Sequence, residues 1–464
     1  MGTSNEKASM ILLPKLNWKR ASLLVTVTVA FFIALRVFGY KIAPDSQVYI
    51  DSSTAVGPLY CLLIDLFQWI FGETQYVMPL IVFQNILIAY AVFSLVSFVI
   101  DSFDVKFVHA YVIVLGFYLL FVLQTVFTVQ GRIPSNTILS EAIAFPLFFL
   151  FFKYALASAL YLRGHYLVAA GLLSFLLINT RGQLAWLVAL MIGLIIFVGV
   201  KRSKLEVLSK KWIIRFICGA LTAGIVLLGV SWLLPRVYNQ YKSGQFTGNS
   251  IGRAVVLTSV MYVSDTEDKK LFLDDPVESE MFESVYRFMN EGKLQSSYSP
   301  RGILNRFFHY EKNCDLIQAR IRQNIEHLAT TMPDRNIVAM QNKMILALGT
   351  DNFSKYICHY ATNALGGLVR SVALLNKPFS AVAIVLYLGC IFVTITRRKD
   401  PYFHGAVTLL ALCLICIVLN VLFTSFGVWC LSRYMFYNFP IFYMGMYLTL
   451  IVFWNLFRTK KIFT

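Results

Sequence analysis

Long apolar runs recur along the chain and are separated by short polar segments. A run of about 20 apolar residues matches the thickness of a bilayer's hydrocarbon core. A helix is the expected form of such a run, because it satisfies its own backbone hydrogen bonds in lipid. Ten runs predict spans, at 21–40, 78–100, 108–127, 142–162, 166–179, 184–200, 212–234, 378–396, 403–424 and 434–456. The pattern therefore predicts an all-α, polytopic membrane protein.

One long segment, 235–375, interrupts the apolar runs and has the mixed composition of a soluble domain. It holds 14 of the 24 acidic residues and 16 of the 41 basic residues. Within it, an apolar stripe recurs at helical spacing, at Ile317, Ile321, Ile325 and Leu328. We therefore expect three parts: an N-terminal transmembrane module at 1–234, a small helical domain at 235–375 and C-terminal transmembrane helices at 376–464.

Composition and charge placement strengthen the membrane assignment. Hydrophobic residues make up 58% of the chain and charged residues 14%, whereas soluble domains carry about 25% charged residues. A net charge of +17 would suit nucleic acid, but basic clusters such as KRSK at 201–204 gather at one side of the predicted spans. That is the positive-inside pattern. We therefore expect no nucleic-acid partner, a lipid bilayer around the spans, and the segment 235–375 on the outer side.

The short outer segments contain the candidate chemical groups. A carboxylate there can accept a proton from a hydroxyl, and the candidates are Asp45 and Asp51 in the first loop and Glu141 at the start of the fourth span. Each has a structural alternative, since Asp45 can cap a turn and Glu141 suits the first turn of a helix. Taken singly, the structural alternatives are favoured. Arg36 is the one clear charge that we expect well inside a span.

Four sequence motifs follow one another along the chain beside the predicted spans. The first outer loop, PDSQVYIDSSTAVGPLYCLLIDLFQWIFG, has an acid, a tyrosine, a Gly/Pro-Pro-Leu-Tyr turn and an aromatic-rich helix. ILSEAIAFPLFFLFF, NTRGQLAWLVALMIG and SRYMFYNFP follow it. In this order the motifs resemble the GT-C class of membrane glycosyltransferases. The first resembles that family's first outer loop, and the other three are similar to its Ser-Glu, Thr-Arg and late Arg-Tyr elements. The long segment 235–375 resembles nothing that we can name.

The resemblance implies a glycosyltransferase that uses a polyprenyl-phosphate sugar, such as an undecaprenyl-phosphate hexose, as donor. The acceptor would be a cell-envelope glycan such as O-antigen or lipopolysaccharide. The enzyme would lie in a bacterial inner membrane with its active site facing the periplasm, and the helical domain would be periplasmic.

The resemblance also implies roles for particular residues. Asp45 would be the catalytic base, with Asp51 as second choice, and the choice between them stays open. Glu141 and Tyr49 would bind the acceptor. Arginine suits phosphate oxygens, so three arginines would hold the donor phosphate: Arg181, Arg433 and Arg132.

The sequence leaves a metal site and a disulfide undecided. It has no Asp-x-Asp motif of the kind that metal-using relatives carry, so we expect no cofactor, although Asp45 with Glu141 could form a metal site. Cys314 and Cys358 are the cysteines of the segment 235–375. Whether they pair depends on geometry that spacing does not reveal.

Two other functions compete with the glycosyltransferase. An O-antigen polymerase or ligase would use arginines of a large outer loop, and the segment 235–375 offers Arg301, Arg306, Arg320 and Arg322. A lipid-glycan flippase or another transporter would carry charged residues inside its spans.

Overall fold

The computed structural model describes residues 17–43, 45–52, 56–127, 133–205, 210–248, 251–332, 335–371, 377–396, 401–427, 430 and 432–458. Within these residues the chain is 86% helix and has no strand. One isolated bridge pairs Lys41 with Thr137. The predicted all-α class is confirmed.

The helices follow in chain order as α1 Trp18–Phe38, α2 Ser46–Ile50, α3 Pro58–Phe71, α4 Val77–Ser102, α5 Val108–Phe127, α6 Glu141–Tyr161, α7 Gly164–Thr180, α8 Leu187–Leu205, α9 Lys210–Ser243, α10 Ile251–Tyr262, α11 Pro276–Glu291, α12 Ile303–Thr331, α13 Ile337–Asp351, α14 Phe353–Arg370, α15 Lys377–Thr396, α16 Pro401–Gly427, α17 Ser432–Met435 and α18 Asn438–Arg458. Short 3-10 helices lie at Pro134–Asn136, Gly182–Trp186, Thr266–Phe272 and Ser296–Tyr298.

Six of the described helices are long and apolar enough to cross a membrane, and they support the assignment to the membrane. They are Trp18–Phe38, Val77–Ser102, Glu141–Tyr161, Gly182–Lys204, Lys211–Ser243 and Gly405–Gly427. Four shorter apolar helices accompany them, at Pro58–Phe71, Val108–Leu123, Gly164–Thr180 and Val382–Thr396. The count of ten spans and their orientation stay predictions.

The chain divides into two compact units. The first contains Met1–Thr247, Val372–Leu419 and Phe436–Thr464, and the second contains Gly248–Ser371 and Asn420–Met435. Helix α9 runs through Pro235 to Ser243 without a break at the predicted boundary of 234 and 235. No sequence feature indicates that 420–435 belongs with the second unit.

Helix α6 is the most buried of the candidate spans, because 83% of its 18-residue apolar stretch lies inside the protein. It packs between α4 and α7. A helix that is apolar on all sides has no face for solvent, so it takes the centre of its unit. Phenylalanines dominate this centre, and Phe148, Phe149, Phe151 and Phe152 are fully buried.

The second unit has its own apolar core, which α10 to α14 share. Ile317 and Ile321 of α12 are fully buried in it, and Ile325 and Leu328 pack against it partly buried. The apolar stripe predicted on this helix is therefore confirmed.

Candidate functional site

The segment 133–140, which leads into α6, is polar and yet fully buried. Buried polar groups need hydrogen-bond partners, and Asn85 of α4 supplies several of them. Its Nδ2 donates to Asn136 Oδ1 at 2.9 Å and to the Ser135 carbonyl at 3.3 Å, and its Oδ1 accepts from Ser135 Oγ at 3.1 Å. The Lys41 N–H donates to the Asn136 carbonyl at 2.9 Å. The start of α6 is thereby fixed.

Glu141, the first residue of α6, forms a buried ion pair with Arg181. Arg181 Nη1 lies 2.5 Å from Glu141 Oε1, and the two side chains are 12% and 5% exposed. Burial removes water from both charges, and only a close partner offsets that loss. Ser140 sits at the N-cap position without capping the helix. Its hydroxyl donates instead to Glu141 Oε2 at 3.3 Å.

Arg181 lies in extended backbone between α7 and the 3-10 helix Gly182–Trp186. Its Nε donates to Gln183 Oε1 at 2.8 Å, and its Nη1 donates to Ser140 Oγ at 3.4 Å. Several partners therefore hold the guanidinium in one orientation. That suits a group that must meet a ligand in a fixed geometry.

Gly57 of the first loop packs against the end of α7, directly before Arg181. A Cβ at this position would lie 2.5 Å from the Asn179 carbonyl oxygen and 2.9 Å from the Thr180 carbonyl oxygen. Such distances exclude any side chain, so a glycine is required. This close approach explains the glycine of the Gly-Pro-Leu-Tyr turn and ties the first loop to Arg181.

Tyr49 of α2 completes the cluster. Its hydroxyl lies 3.0 Å from Ser140 Oγ, and its ring packs edge-on against Tyr60 of α3 with centroids 5.3 Å apart. We call Tyr49, Ser140, Glu141 and Arg181 the Glu141 centre. Three of its members, Tyr49, Glu141 and Arg181, are residues that the resemblance singles out, and they come from three separate segments of the chain.

Four buried polar atoms without a hydrogen-bond partner belong to residues close in sequence to Asn85, Ser140 or Arg181. They are Gln84 Oε1, Asn136 Nδ2, Gln183 Nε2 and Trp186 Nε1. Gln84 donates through its Nε2 to Tyr60 Oη at 2.7 Å, and Gln183 contacts Arg181. Unpaired buried donors are rare in folded proteins and call for an explanation such as a ligand or a water.

Asp45 and Asp51 flank α2 and are both exposed. Asp45 lies one helical turn before Tyr49, and its side chain makes no capping hydrogen bond to α2, against the structural alternative. Asp51 follows α2, and its Oδ1 accepts from Gln47 Nε2 at 2.7 Å. Both acids thus adjoin the helix that carries Tyr49 to the Glu141 centre.

The other two predicted arginines cannot be placed. Arg132 lies outside the described residues. The backbone of Arg433 belongs to α17, but its side chain is also outside them. The late motif still reaches α6 through its aromatic residues. Phe145 lies one helical turn after Glu141. The centroid of its ring is 4.4 Å from that of Tyr437 and 5.3 Å from that of Phe436.

Sequence reasoning missed a second polar cluster beside the first loop. Ser52 Oγ donates to Asp65 Oδ1 at 2.5 Å, and Lys242 Nζ lies 3.0 Å from Asp65 Oδ2. Tyr238 donates its hydroxyl hydrogen to the Ser52 carbonyl at 3.2 Å. We call these four residues the Asp65 cluster. The signal in the sequence was Asp65 itself, the one acid in the apolar helix α3.

Sequence reasoning also missed a charge inside a candidate span. Lys153 of α6 is 1% exposed, and its Nζ donates to Ser94 Oγ of α4 at 2.9 Å. The expectation that Arg36 is the one clear charge inside a span is therefore wrong. Arg36 is exposed in the last turn of α1.

The structure bears on the disulfide that the sequence left undecided. Cys314 and Cys358 are both free thiols, so they do not pair. Among the described residues, no three His, Cys, Asp or Glu side chains come close enough to hold a metal ion.

Comparison with models of protein families, with curated proteins and with solved structures finds no match to this chain. The likeness to the GT-C class therefore rests on the quoted motifs. The function follows as a proposal from those motifs and from the geometry of the Glu141 centre.

Proposed function

We propose that the chain is a membrane glycosyltransferase of the GT-C type. It moves a hexose from a polyprenyl-phosphate donor to a cell-envelope glycan, such as O-antigen or lipopolysaccharide, at the periplasmic face of a bacterial inner membrane. The observation that supports this most is the meeting of Tyr49, Glu141 and Arg181 around Ser140, since three motifs far apart in sequence converge on one point.

The proposed reaction asks little covalent chemistry of the protein. The acceptor hydroxyl oxygen attacks the anomeric carbon, the bond from that carbon to the phosphate oxygen breaks, and the lipid phosphate leaves with the electron pair. A carboxylate takes the hydroxyl proton. A fixed cation stabilises the charge that grows on the phosphate.

The residues divide between these two tasks. Asp45 or Asp51 is the base, because both are exposed carboxylates beside α2. Arg181 is the cation. Glu141 fixes the direction of the Arg181 guanidinium through their ion pair, and such preorganisation lowers the barrier only when the geometry is held. Tyr49 binds the acceptor sugar in this scheme.

The test is sugar transfer in membrane vesicles that contain the protein, with a radiolabelled polyprenyl-phosphate hexose and a crude envelope glycan. We compare wild type with Asp45→Asn, Asp51→Asn and Arg181→Lys at matched protein amounts. Glu73→Gln is the control, because Glu73 is an exposed acid in the same outer segment. We expect a loss of about 100-fold or more for the base, and a similar loss for Arg181→Lys since lysine lacks the planar fork.

The outcomes separate the hypotheses. Loss in one Asp→Asn variant, with Glu73→Gln unchanged, identifies the base. Full activity in both Asp→Asn variants would show that neither acid is the base and that this mechanism is wrong. No transfer by wild type from any polyprenyl-phosphate hexose would remove the glycosyltransferase proposal.

One observation favours transport as a second candidate function. Lys153 is a fully buried cation in a candidate span, hydrogen-bonded to Ser94 of the neighbouring helix, and intramembrane charges often mark a transport pathway. Lys153→Met decides between the two. A glycosyltransferase keeps its transfer activity in this variant, whereas a transporter loses movement of a fluorescent lipid-linked sugar across proteoliposomes.

A further inference from the structure

The turn that follows α2 has an unusual backbone at Ser52. Its φ is +48°, in the left-handed region that every residue except glycine avoids on steric grounds. Ser52 is also buried, at 9% exposed, and it directly follows Asp51. A non-glycine residue stays in such a conformation only when its surroundings hold it there.

The Asp65 cluster holds Ser52 from two sides. Asp65 of α3 accepts the hydrogen bond from the Ser52 hydroxyl, and Tyr238 of α9 donates to the Ser52 carbonyl. Lys242, one turn after Tyr238, lies 3.0 Å from the second oxygen of Asp65. The side chains of Asp65 and Lys242 are 30% and 32% exposed, so this ion pair is partly sheltered. Both the side chain and the carbonyl of Ser52 are therefore restrained.

The restrained turn directly follows the end of α2, the helix that carries Tyr49. The Ser52 N–H donates to the Tyr49 carbonyl at 3.1 Å, and the Asp51 N–H donates to the Gln47 carbonyl at 2.9 Å. Tyr49 in turn contacts Ser140 of the Glu141 centre. If Ser52 relaxed to a negative φ, the turn that directly follows Asp51 would change shape.

We propose that Asp65 is a positioning residue, which acts with Tyr238 and Lys242 to hold Ser52 in its left-handed conformation and so fixes the turn that directly follows Asp51, one of the two candidate bases. Asp65 does not touch the substrate in this scheme. The effect on catalysis rests on the proposed glycosyltransferase function, whereas the effect on the turn does not.

Glycine at position 52 supplies the decisive test, because glycine adopts a positive φ without strain. We compare Asp65→Asn, Ser52→Ala, Ser52→Gly and the double variant Asp65→Asn with Ser52→Gly. Ser52→Ala loses the hydrogen bond and keeps the strain, while Ser52→Gly loses both. Asp101→Asn is the matched control, since Asp101 forms an ion pair with Arg20 at 2.6 Å and is remote in sequence from this turn.

The first readout needs no substrate. Hydrogen–deuterium exchange of a peptide covering 45–52 is measured on the full-length protein in nanodiscs. We expect exchange about tenfold faster in Asp65→Asn and in Ser52→Ala, the factor that corresponds to the strain of one left-handed residue. We expect Ser52→Gly, the double variant and Asp101→Asn to stay within about twofold of wild type. Unchanged exchange in Asp65→Asn would overturn the proposal.

The second readout is sugar transfer. We expect kcat about tenfold lower in Asp65→Asn, KM for the donor unchanged, and kcat largely restored in the double variant. A double variant with restored exchange but no restored kcat would show that Asp65 itself touches the substrate, and the positioning role would be wrong. If wild type transfers no sugar but the exchange pattern is as expected, the proposed function is wrong and the positioning role stands.

Discussion

Two buried ionisable groups, one in each unit, are stabilised in different ways. In the first unit, Glu141 keeps a charged partner, since Arg181 Nη1 lies 2.5 Å away. In the second unit, His359 of α14 is 8% exposed, and its Nε2 has no hydrogen-bond partner. The ring centroids of Tyr262 and Tyr310 lie 4.9 and 4.3 Å from the centroid of the His359 ring.

The difference shows the two means by which a protein tolerates a buried titratable group. A buried group either keeps its charge beside a close counter-charge or takes its neutral form. Burial lowers the pKa of His359 to about 3, so this imidazole is neutral at neutral pH and behaves as an aromatic core residue. The Glu141 centre instead retains its charges, as the proposed phosphate-binding role of Arg181 requires.

The largest effect should come from breaking the ion pair. Glu141→Gln leaves Arg181 as an uncompensated buried charge, and we expect about 3–5 kcal/mol less stability, measured by thermal unfolding in detergent. Arg181→Met should cost a similar amount. The double variant should lose less than the sum of the two single variants, because no unpaired charge remains. Asp101→Asn, at a more exposed ion pair, is the control and should have a much smaller effect.

The stability of the second unit should depend on pH, because His359 is buried as a neutral group. The pKa of His359 lies near 3 in the folded protein and about 6.5 in the unfolded chain. The unfolded state thus binds the extra proton between these values. Stability is unaffected above pH 6.5 and falls as the pH drops below it, by about 1.4 kcal/mol per pH unit.

Cys314 reports this change, because it is 1% exposed in the core of the second unit. Labelling by a thiol reagent that works at low pH should accelerate from pH 7 to pH 5 in wild type. His359→Phe lacks the titrating group, so the ratio of wild-type to variant labelling rates should rise as the pH falls. A constant ratio would mean that His359 is not buried as a neutral group.

A steric change beside Arg181 should have an intermediate effect. Gly57→Ala would place a Cβ 2.5 Å from the Asn179 carbonyl oxygen, and such overpacking costs about 1–3 kcal/mol. We expect lower stability and reduced transfer together. Gly182→Ala is a matched control next to Arg181, because nothing lies within 4 Å of its Cβ position. Equal behaviour of the two variants would contradict the close approach of the first loop to α7.

The smallest effect should come from Tyr49→Phe. This change removes the hydroxyl that contacts Ser140 Oγ and keeps the ring against Tyr60. We expect about 1 kcal/mol less stability, and a rise in KM for the acceptor if Tyr49 binds it. Tyr111→Phe, which removes a comparable hydrogen bond to Ser22 at 2.7 Å, should leave KM unchanged.

Much of the local structure was predictable from residues close in sequence. Apolar runs predicted helices, and the stripe through Ile317 and Ile321 predicted the buried face of α12. Tyr49, Glu141 and Arg181 were proposed as site residues from motifs. The sequence did not indicate that Glu141 and Arg181 pair with each other, nor that Ser140 lies between Tyr49 and both of them.

The sequence by itself determined the helical class, the apolar character of the spans and the types of residue available for chemistry. These follow from composition and from short periodic patterns, which act within a few turns of one helix. The tertiary structure alone decided the partners: Lys242 with Asp65, Lys153 with Ser94 and Gly57 with the end of α7. Such pairs join residues far apart in the chain, and their distances depend on how whole helices pack, which no local pattern contains.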